Sequence, residues 1–378
     1  MTKRSTSWVS AGLPAFSWPI GIATHEEIAG WGLIYPLVSG QFQPLGHLLA
    51  EPVQPSLRVL ARIGAEIADA YGALRSSGLT YRDFNLTVPL ADPGTGDVII
   101  PVTDSIGTLG DPDWHGTTHF QAPEVIRGDV ARWAVADLHT LAVVLFYLLV
   151  HGHPLIGRRA VELEDRDDFG QSVYLGTEPL FVFDPDDSSN APLPGDPTAI
   201  WWPIYPVFVR ELFTRAFTTG LTDLSFTGRV SEKQWHRALI RLAGSVTTCS
   251  CDVYVVWDAD EPGKPCWNCG SVPDVPALLR MPGYTIALTE GAVIHPGHLS
   301  EGGDFRTRYA VVEPHPTEAG EVVLRNRSDS TWTFTPQAEP DTEPKQVGPG
   351  QRFLIRPAAI DFGGAQATIS GRVATDQT

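Results

Sequence analysis

Lysine is almost missing from the first two thirds of this chain. Four lysines occur, Lys3, Lys233, Lys264 and Lys345, so none stands between residues 4 and 232. A lysine that pairs with nucleotide phosphates has no candidate in that span. Positive charge is scarce throughout, and 27 Lys and Arg against 44 Asp and Glu leave a net charge of −17. That balance argues against a nucleic-acid or anionic-membrane surface and favours a peptide or protein partner with a basic face. Long apolar runs are missing too. The longest, Leu141 to Val150, is too short to span a bilayer and fits a buried core helix. Residues 1–16 hold no apolar core of signal-peptide length, so a cytoplasmic protein is expected, with no membrane attachment. Cysteine is confined to one short window, as Cys249, Cys251, Cys266 and Cys269. In a reducing compartment that clustering favours a metal over disulfides.

What is present describes a globular protein. The 378 residues are 43% hydrophobic and 19% charged, enough for two or three folded domains. Residues 1–50 carry Trp8, Trp18, Trp31 and short apolar runs such as Gly32-Leu33-Ile34-Tyr35, which read as two or three strands. A helix is predicted from about Ser56, after Pro55. Leu57, Leu60, Gly64, Ile67, Tyr71 and Leu74 recur there at helical spacing, and Gly78 supplies the stop. Asp92-Pro93-Gly94-Thr95-Gly96 reads as a hairpin turn, with Val98-Ile99-Ile100 as its return strand. The strongest helix runs from about Val135 to His151. Residues 157–200, rich in Asp and Pro, read as irregular, and two more helices are expected over 204–218 and 231–243. From 276 onward helical periodicity stops. Val322-Val323-Leu324, Thr331-Trp332-Thr333-Phe334 and Arg352-Phe353-Leu354-Ile355 alternate with turns and suggest a small β-sandwich.

Tyr81-Arg82-Asp83 is followed beyond the hairpin by Gly116-Thr117-Thr118-His119-Phe120-Gln121-Ala122-Pro123-Glu124. In this order, with the apolar helix behind them, the two stretches resemble the catalytic loop and activation-segment end of a protein kinase. The resemblance implies that Asp83 accepts the substrate hydroxyl proton and that Arg82 pairs with a phosphorylated activation segment. It implies structural roles for Thr117, for Asp137 as the residue that bonds back to the catalytic loop, and for Glu124 and Arg229 as a buried ion pair. Other parts of that machinery differ. Val88 stands five residues after Asp83, where an asparagine would hold magnesium, and Asn85 has the wrong offset. No D-F-G triplet stands between Asp83 and Glu124, which leaves Asp104 as the only candidate magnesium ligand. Gly30-Trp31-Gly32 is a weak match to a glycine loop. Residues 1–45 are too few for a five-stranded lobe with its helix, so a surface near Leu33 and Tyr35 is expected to stay open for a partner, unless residues 1–40 fold back and seal it with Trp8, Trp18 and Trp31. Impaired catalysis is expected, and magnesium–ATP binding is left open.

Cys249-Ser250-Cys251 and Cys266-Trp267-Asn268-Cys269-Gly270 form C-x-C and C-x-x-C. Two such knuckles place four thiolates around a structural zinc, and Gly270 permits the tight turn. A redox C-x-x-C would leave the second pair unexplained and lacks a βαβ context. His115, His119, His151 and His153 read as packing or loop histidines, and Asp184, Asp186 and Asp187 as a solvated acidic loop.

Taken with Phe181-Val182-Phe183-Asp184-Pro185-Asp186-Asp187-Ser188-Ser189-Asn190, Trp202-Pro203-Ile204-Tyr205-Pro206 and Leu212-Phe213-Thr214-Arg215-Ala216-Phe217, these motifs resemble a bacterial family of eukaryotic-like serine/threonine kinases. That family belongs to the tellurite-resistance-associated phosphorylation triads. The resemblance implies an α+β protein, with truncated N-lobe-like strands over 1–45, a kinase-like C-lobe over 46–245 and a zinc ribbon over 246–275. A forkhead-associated-like β-sandwich with a flexible C-terminal tail would follow over 276–378. Leu324-Arg325-Asn326-Arg327-Ser328, Val347-Gly348-Pro349-Gly350 and Ile360-Asp361-Phe362-Gly363 carry the last part. It makes Asn326 and Ser328 candidates for phosphopeptide binding, and a metal-dependent protein phosphatase and a von Willebrand A protein the expected partners. Two readings stay open: a pseudokinase scaffold, or an active serine/threonine kinase completed by an N-lobe from another chain.

Overall fold

In the first unit, residues 1–239, the helices follow from side-chain spacing and caps. The computed structural model describes residues 13–51, 55–103, 105–108, 116–129, 133–162, 168–337 and 343–372. Leu57–Ser76 is a helix whose N-cap, Ser56, accepts a hydrogen bond from the backbone N–H of Val59. Gly78 ends it at φ +73°, a conformation that costs glycine little. The helix Trp133–Val150 is apolar on every side from Leu141 onward, and Val143, Val144, Leu145, Phe146, Leu148 and Leu149 are all fully buried. The two helices meet at Gly64. A Cβ there would lie 3.0 Å from Leu145 and 3.2 Å from Leu148, so the missing side chain permits the close approach.

Around this pair lies an aromatic core. Phe146 packs edge-on against Phe213 at 5.1 Å, Phe181 stacks on Phe217 at 5.4 Å, and Phe183 stacks on Trp202 at 4.6 Å. Tyr205 donates its hydroxyl to the carbonyl of Leu149 at 2.6 Å. The helices Val207–Phe217 and Glu232–Gly244 lie where periodicity places them.

Residues 157–200 differ from expectation. They hold short helical pieces at Arg158–Glu162, Asp168–Gln171 and Pro197–Trp201, a π-helical turn at Ser172–Thr177 and a single turn at Ser188–Asn190. Two of the Asp residues that make this stretch look irregular serve as caps. Asp187 accepts from Ser189 N–H, and Asp196 accepts from Thr198 N–H. Turns this short show no periodicity.

The small sheets frame the loop that carries Asp83. Phe16–Ser17, Val98–Pro101, Leu90–Ala91 and Gln43–Pro44 form a four-stranded sheet in that order, with the first two strands parallel. Leu79–Tyr81 pairs antiparallel with Ile106–Thr108. Gly21–His25 and Ile28–Ile34 make a separate hairpin, on which Ile22, Trp31 and Leu33 are exposed. Trp8 and residues 373–378, where a flexible tail is expected, lie outside the described residues.

The second unit, residues 240–378, is built mainly of strands. Val246–Thr248 pairs with Tyr254–Val256. A six-stranded sheet runs in the order Tyr284–Ala287, Leu278–Met281, Gln366–Ser370, Ala358–Asp361, Trp332–Pro336, Lys345–Val347. A four-stranded sheet runs Val293–Ile294, Ala310–Pro314, Val322–Asn326, Arg352–Leu354. One core draws on both sheets, including Leu279, Ile294, Leu324, Trp332 and Ile360. The chain is thus mixed α and β. No helix among the described residues is long and apolar enough to cross a membrane.

Gly64→Leu should destabilise the first unit by about 1–3 kcal/mol through overpacking against Leu145 and Leu148. Urea unfolding should show a lower midpoint, and an unchanged midpoint would contradict this helix contact.

Candidate functional site

The antiparallel pair Leu79–Tyr81 and Ile106–Thr108 delivers the loop beginning at Arg82. Asp83 is half-buried. Its Oδ1 accepts from the backbone N–H of Thr117 at 2.8 Å and from Thr117 Oγ1 at 2.7 Å. Asn85 Nδ2 approaches the same oxygen and Thr117 Oγ1, both at 3.4 Å. Asp83 and Thr117, 34 residues apart, therefore form one polar group with Asn85. Asn85 is a member that spacing did not nominate. The signal was available in its position two residues after Asp83, on the same turn, where Asn85 Oδ1 also caps Thr87 N–H.

Arg82 is buried and donates to the carbonyl of Thr108 at 3.1 Å. Its guanidinium lies over Gly107, where an added Cβ would come within 2.1 Å of Nη2. A glycine inside a strand marks such a close approach. Gly116 plays a similar part, since a Cβ there would sit 2.5 Å from the carbonyl oxygen of Arg82. Asp104 lies outside the described residues.

Asp137, on the apolar helix, is buried and accepts from Thr80 Oγ1. Burial raises its carboxyl to about 7, against hydrogen bonds from the Thr80 hydroxyl and the Tyr81 backbone that lower it. Thr80 is a second residue that sequence reasoning passed over. It immediately precedes Tyr81, and its full burial shows only in three dimensions.

Glu124 and Arg229 form a buried ion pair at 2.8 Å. The guanidinium also donates to the carbonyls of Val135 at 2.7 Å and Gly220 at 3.1 Å. Three segments far apart in sequence are thereby tied to one side chain. His153 is fixed in the same region, accepting from Leu155 N–H at Nδ1 and reaching the His119 carbonyl through Nε2 at 2.8 Å. Burial lowers its pKa to about 3, so it stays neutral and packs.

The second candidate site is the cysteine cluster. The sulfurs of Cys249, Cys251, Cys266 and Cys269 all lie within 4.8 Å of one another. Cys249 and Cys269 are 3.6 Å apart, and Cys251 and Cys266 are 3.8 Å apart. A tetrahedral zinc thiolate has sulfur–sulfur edges of about 3.8 Å, from metal–sulfur bonds of about 2.3 Å. The donor set therefore fits a metal such as zinc. Each knuckle closes through the backbone: Asp252 N–H donates to Cys249, and Gly270 N–H, at φ +76°, donates to Cys266. Asn268 supplies outer support, its backbone N–H to Cys266 Sγ and its amide to Cys251 Sγ. Hydrogen bonds from Ser271 lower the Cys269 thiol pKa, while burial raises that of Cys266.

Asn326 is fully buried. Its amide donates to the carbonyls of Ser330 and Val347, and its oxygen accepts from Ser328 N–H and Oγ. Ser328 Oγ also accepts from the indole N–H of Trp332 at 3.2 Å. The two residues close the turn between their strands.

No family model matches the chain, and no curated protein matches it.

Removing Arg229 alone, as Arg229→Met, should cost about 3–5 kcal/mol by leaving Glu124 buried without its partner. The double variant Glu124→Leu/Arg229→Met should cost less than the sum of the two single changes. Urea unfolding of all three variants measures this, and strict additivity would show that the pair is uncoupled.

Proposed function

We propose that the first unit is a kinase-like C-lobe behind truncated N-lobe strands. On this reading the protein is a pseudokinase scaffold in a bacterial phosphorylation system of the tellurite-resistance type, and the cysteine cluster holds a structural zinc. One observation carries the proposal. Asp83 and Thr117 join, Asp137 reaches back to the strand before Asp83, and Glu124 pairs with Arg229, while no lysine stands between residues 4 and 232 and Val88 takes the place of a metal-binding asparagine.

In phosphoryl transfer the protein contributes positioning and charge neutralisation. Here Thr117 occupies Asp83 Oδ1 with two hydrogen bonds, which suits a carboxylate used as a joint. Val88, half-buried, offers magnesium nothing. No lysine between residues 4 and 232 can neutralise a phosphate. A carboxylate without those cations would meet nucleotide with like charge.

The exposed apolar side chains of the Gly21–His25 and Ile28–Ile34 hairpin support a scaffold role. On this reading the hairpin is where a metal-dependent phosphatase or a von Willebrand A protein docks. The second unit would be a zinc ribbon joined to a forkhead-associated-like sandwich. Buried and committed to its turn, Asn326 serves structure in the proposal. The second reading, an active kinase completed by another chain's N-lobe, draws on the same exposed hairpin.

Two measurements test this. Incubation with labelled ATP and magnesium should give no incorporation into the chain. Steady incorporation that Asp83→Asn abolishes would overturn the pseudokinase assignment. Elemental analysis should find one zinc per chain, lost in Cys266→Ser together with a lower melting temperature for the second unit. A chain without zinc, or a variant that keeps it, would refute the structural zinc.

A further inference from the structure

Two of the edge strands of the second unit border the same cleft. Lys345–Val347 ends the six-stranded sheet and, among the described residues, pairs only with Trp332–Pro336. Arg352–Leu354 ends the four-stranded sheet and, among the described residues, pairs only with Val322–Asn326. Every residue of these two edge strands lines a cleft of about 710 Å³. Its floor is apolar. Val347 is buried, and the rings of Phe334 and Phe353 lie 4.4 Å apart.

Its rim is basic. Arg325, Lys345, Arg352 and Arg356 line the cleft, and among the described residues no Asp or Glu does. Arg325 is held by Glu313, and Arg356 by Glu321. Lys345 and Arg352 are exposed and have no ion pair among the described residues. In a chain of net charge −17, a concave site lined by four cations is a local reversal.

Free edges offer backbone N–H and C=O groups in the spacing of a strand. Cations beside those edges repel a basic strand and attract an acidic one. An apolar floor with a charged rim suits a segment whose alternate side chains point in opposite directions. We propose that this cleft binds an extended acidic segment of a partner protein. The segment lies along the two free edges and sets its carboxylates against Lys345 and Arg352. The proposal is independent of the kinase-like reading of the first unit.

The test uses the full chain and a fluorescein-labelled peptide of about ten residues alternating Glu with Val, a typical strand length. Fluorescence anisotropy should show saturable binding that weakens as salt rises. The double variant Lys345→Glu/Arg352→Glu should bind about ten-fold more weakly or not at all. Its melting temperature should be unchanged, since both side chains are exposed and have no ion pair among the described residues. A peptide N-methylated at alternate amides should lose binding, because it cannot pair with an edge. Equal binding by the double variant, equal binding of a Lys–Val peptide, or undiminished binding of the N-methylated peptide would each overturn the proposal. So would a dimer of this chain that the double variant dissociates while the peptide fails to bind, because a second copy would then occupy the cleft.

Discussion

The first unit depends on one buried guanidinium. Arg229 neutralises Glu124 and satisfies the carbonyls of Val135 and Gly220. A buried charge tolerates little change, because its desolvation is offset only while every partner stays in place. The start of the apolar helix, the turn at Glu124 and the segment around Gly220 are therefore fixed relative to one another. From the helix so placed, Asp137 reaches Thr80, and the strand that holds Thr80 leads into Arg82 and Asp83. The polar group at Asp83 is downstream of that chain of constraints.

On the proposed reading, Asp83 has a use that needs no nearby cation. A residue with a catalytic look also ties its loop to the segment at Thr117, and that mechanical use needs no nucleotide. The chemistry of a site and its architecture are separable, and fold alone does not assign activity. The second unit follows the same logic with a different fastener. Four sulfurs at zinc-like spacing could bind a metal that fastens two short knuckles, whose own core is a few contacts such as Cys249, Val255 and Cys266.

What the sequence disclosed was whatever repeats or carries its own punctuation. The helix Leu57–Ser76 was legible from its spacing, from Ser56 before it and from Gly78 after it. The hairpin at Asp92–Gly96 was legible from its turn residues, and the metal-type cluster from cysteine spacing. Short capped turns over 157–200 were not, because a single turn has no period to detect. Nor was the parallel pairing of Phe16–Ser17 with Val98–Pro101, which joins segments more than eighty residues apart through only two residues each. Asn85 was overlooked because it was judged by its offset from a motif. Its role comes from the loop's return toward Thr117.

The central claim is that the group around Asp83 is architectural and does not handle nucleotide. Titration calorimetry of magnesium–ATP into the full chain tests it most directly. The account predicts no saturable heat for any Kd tighter than about 1 mM. Saturable one-to-one binding in the micromolar range that Asp83→Asn abolishes would contradict it.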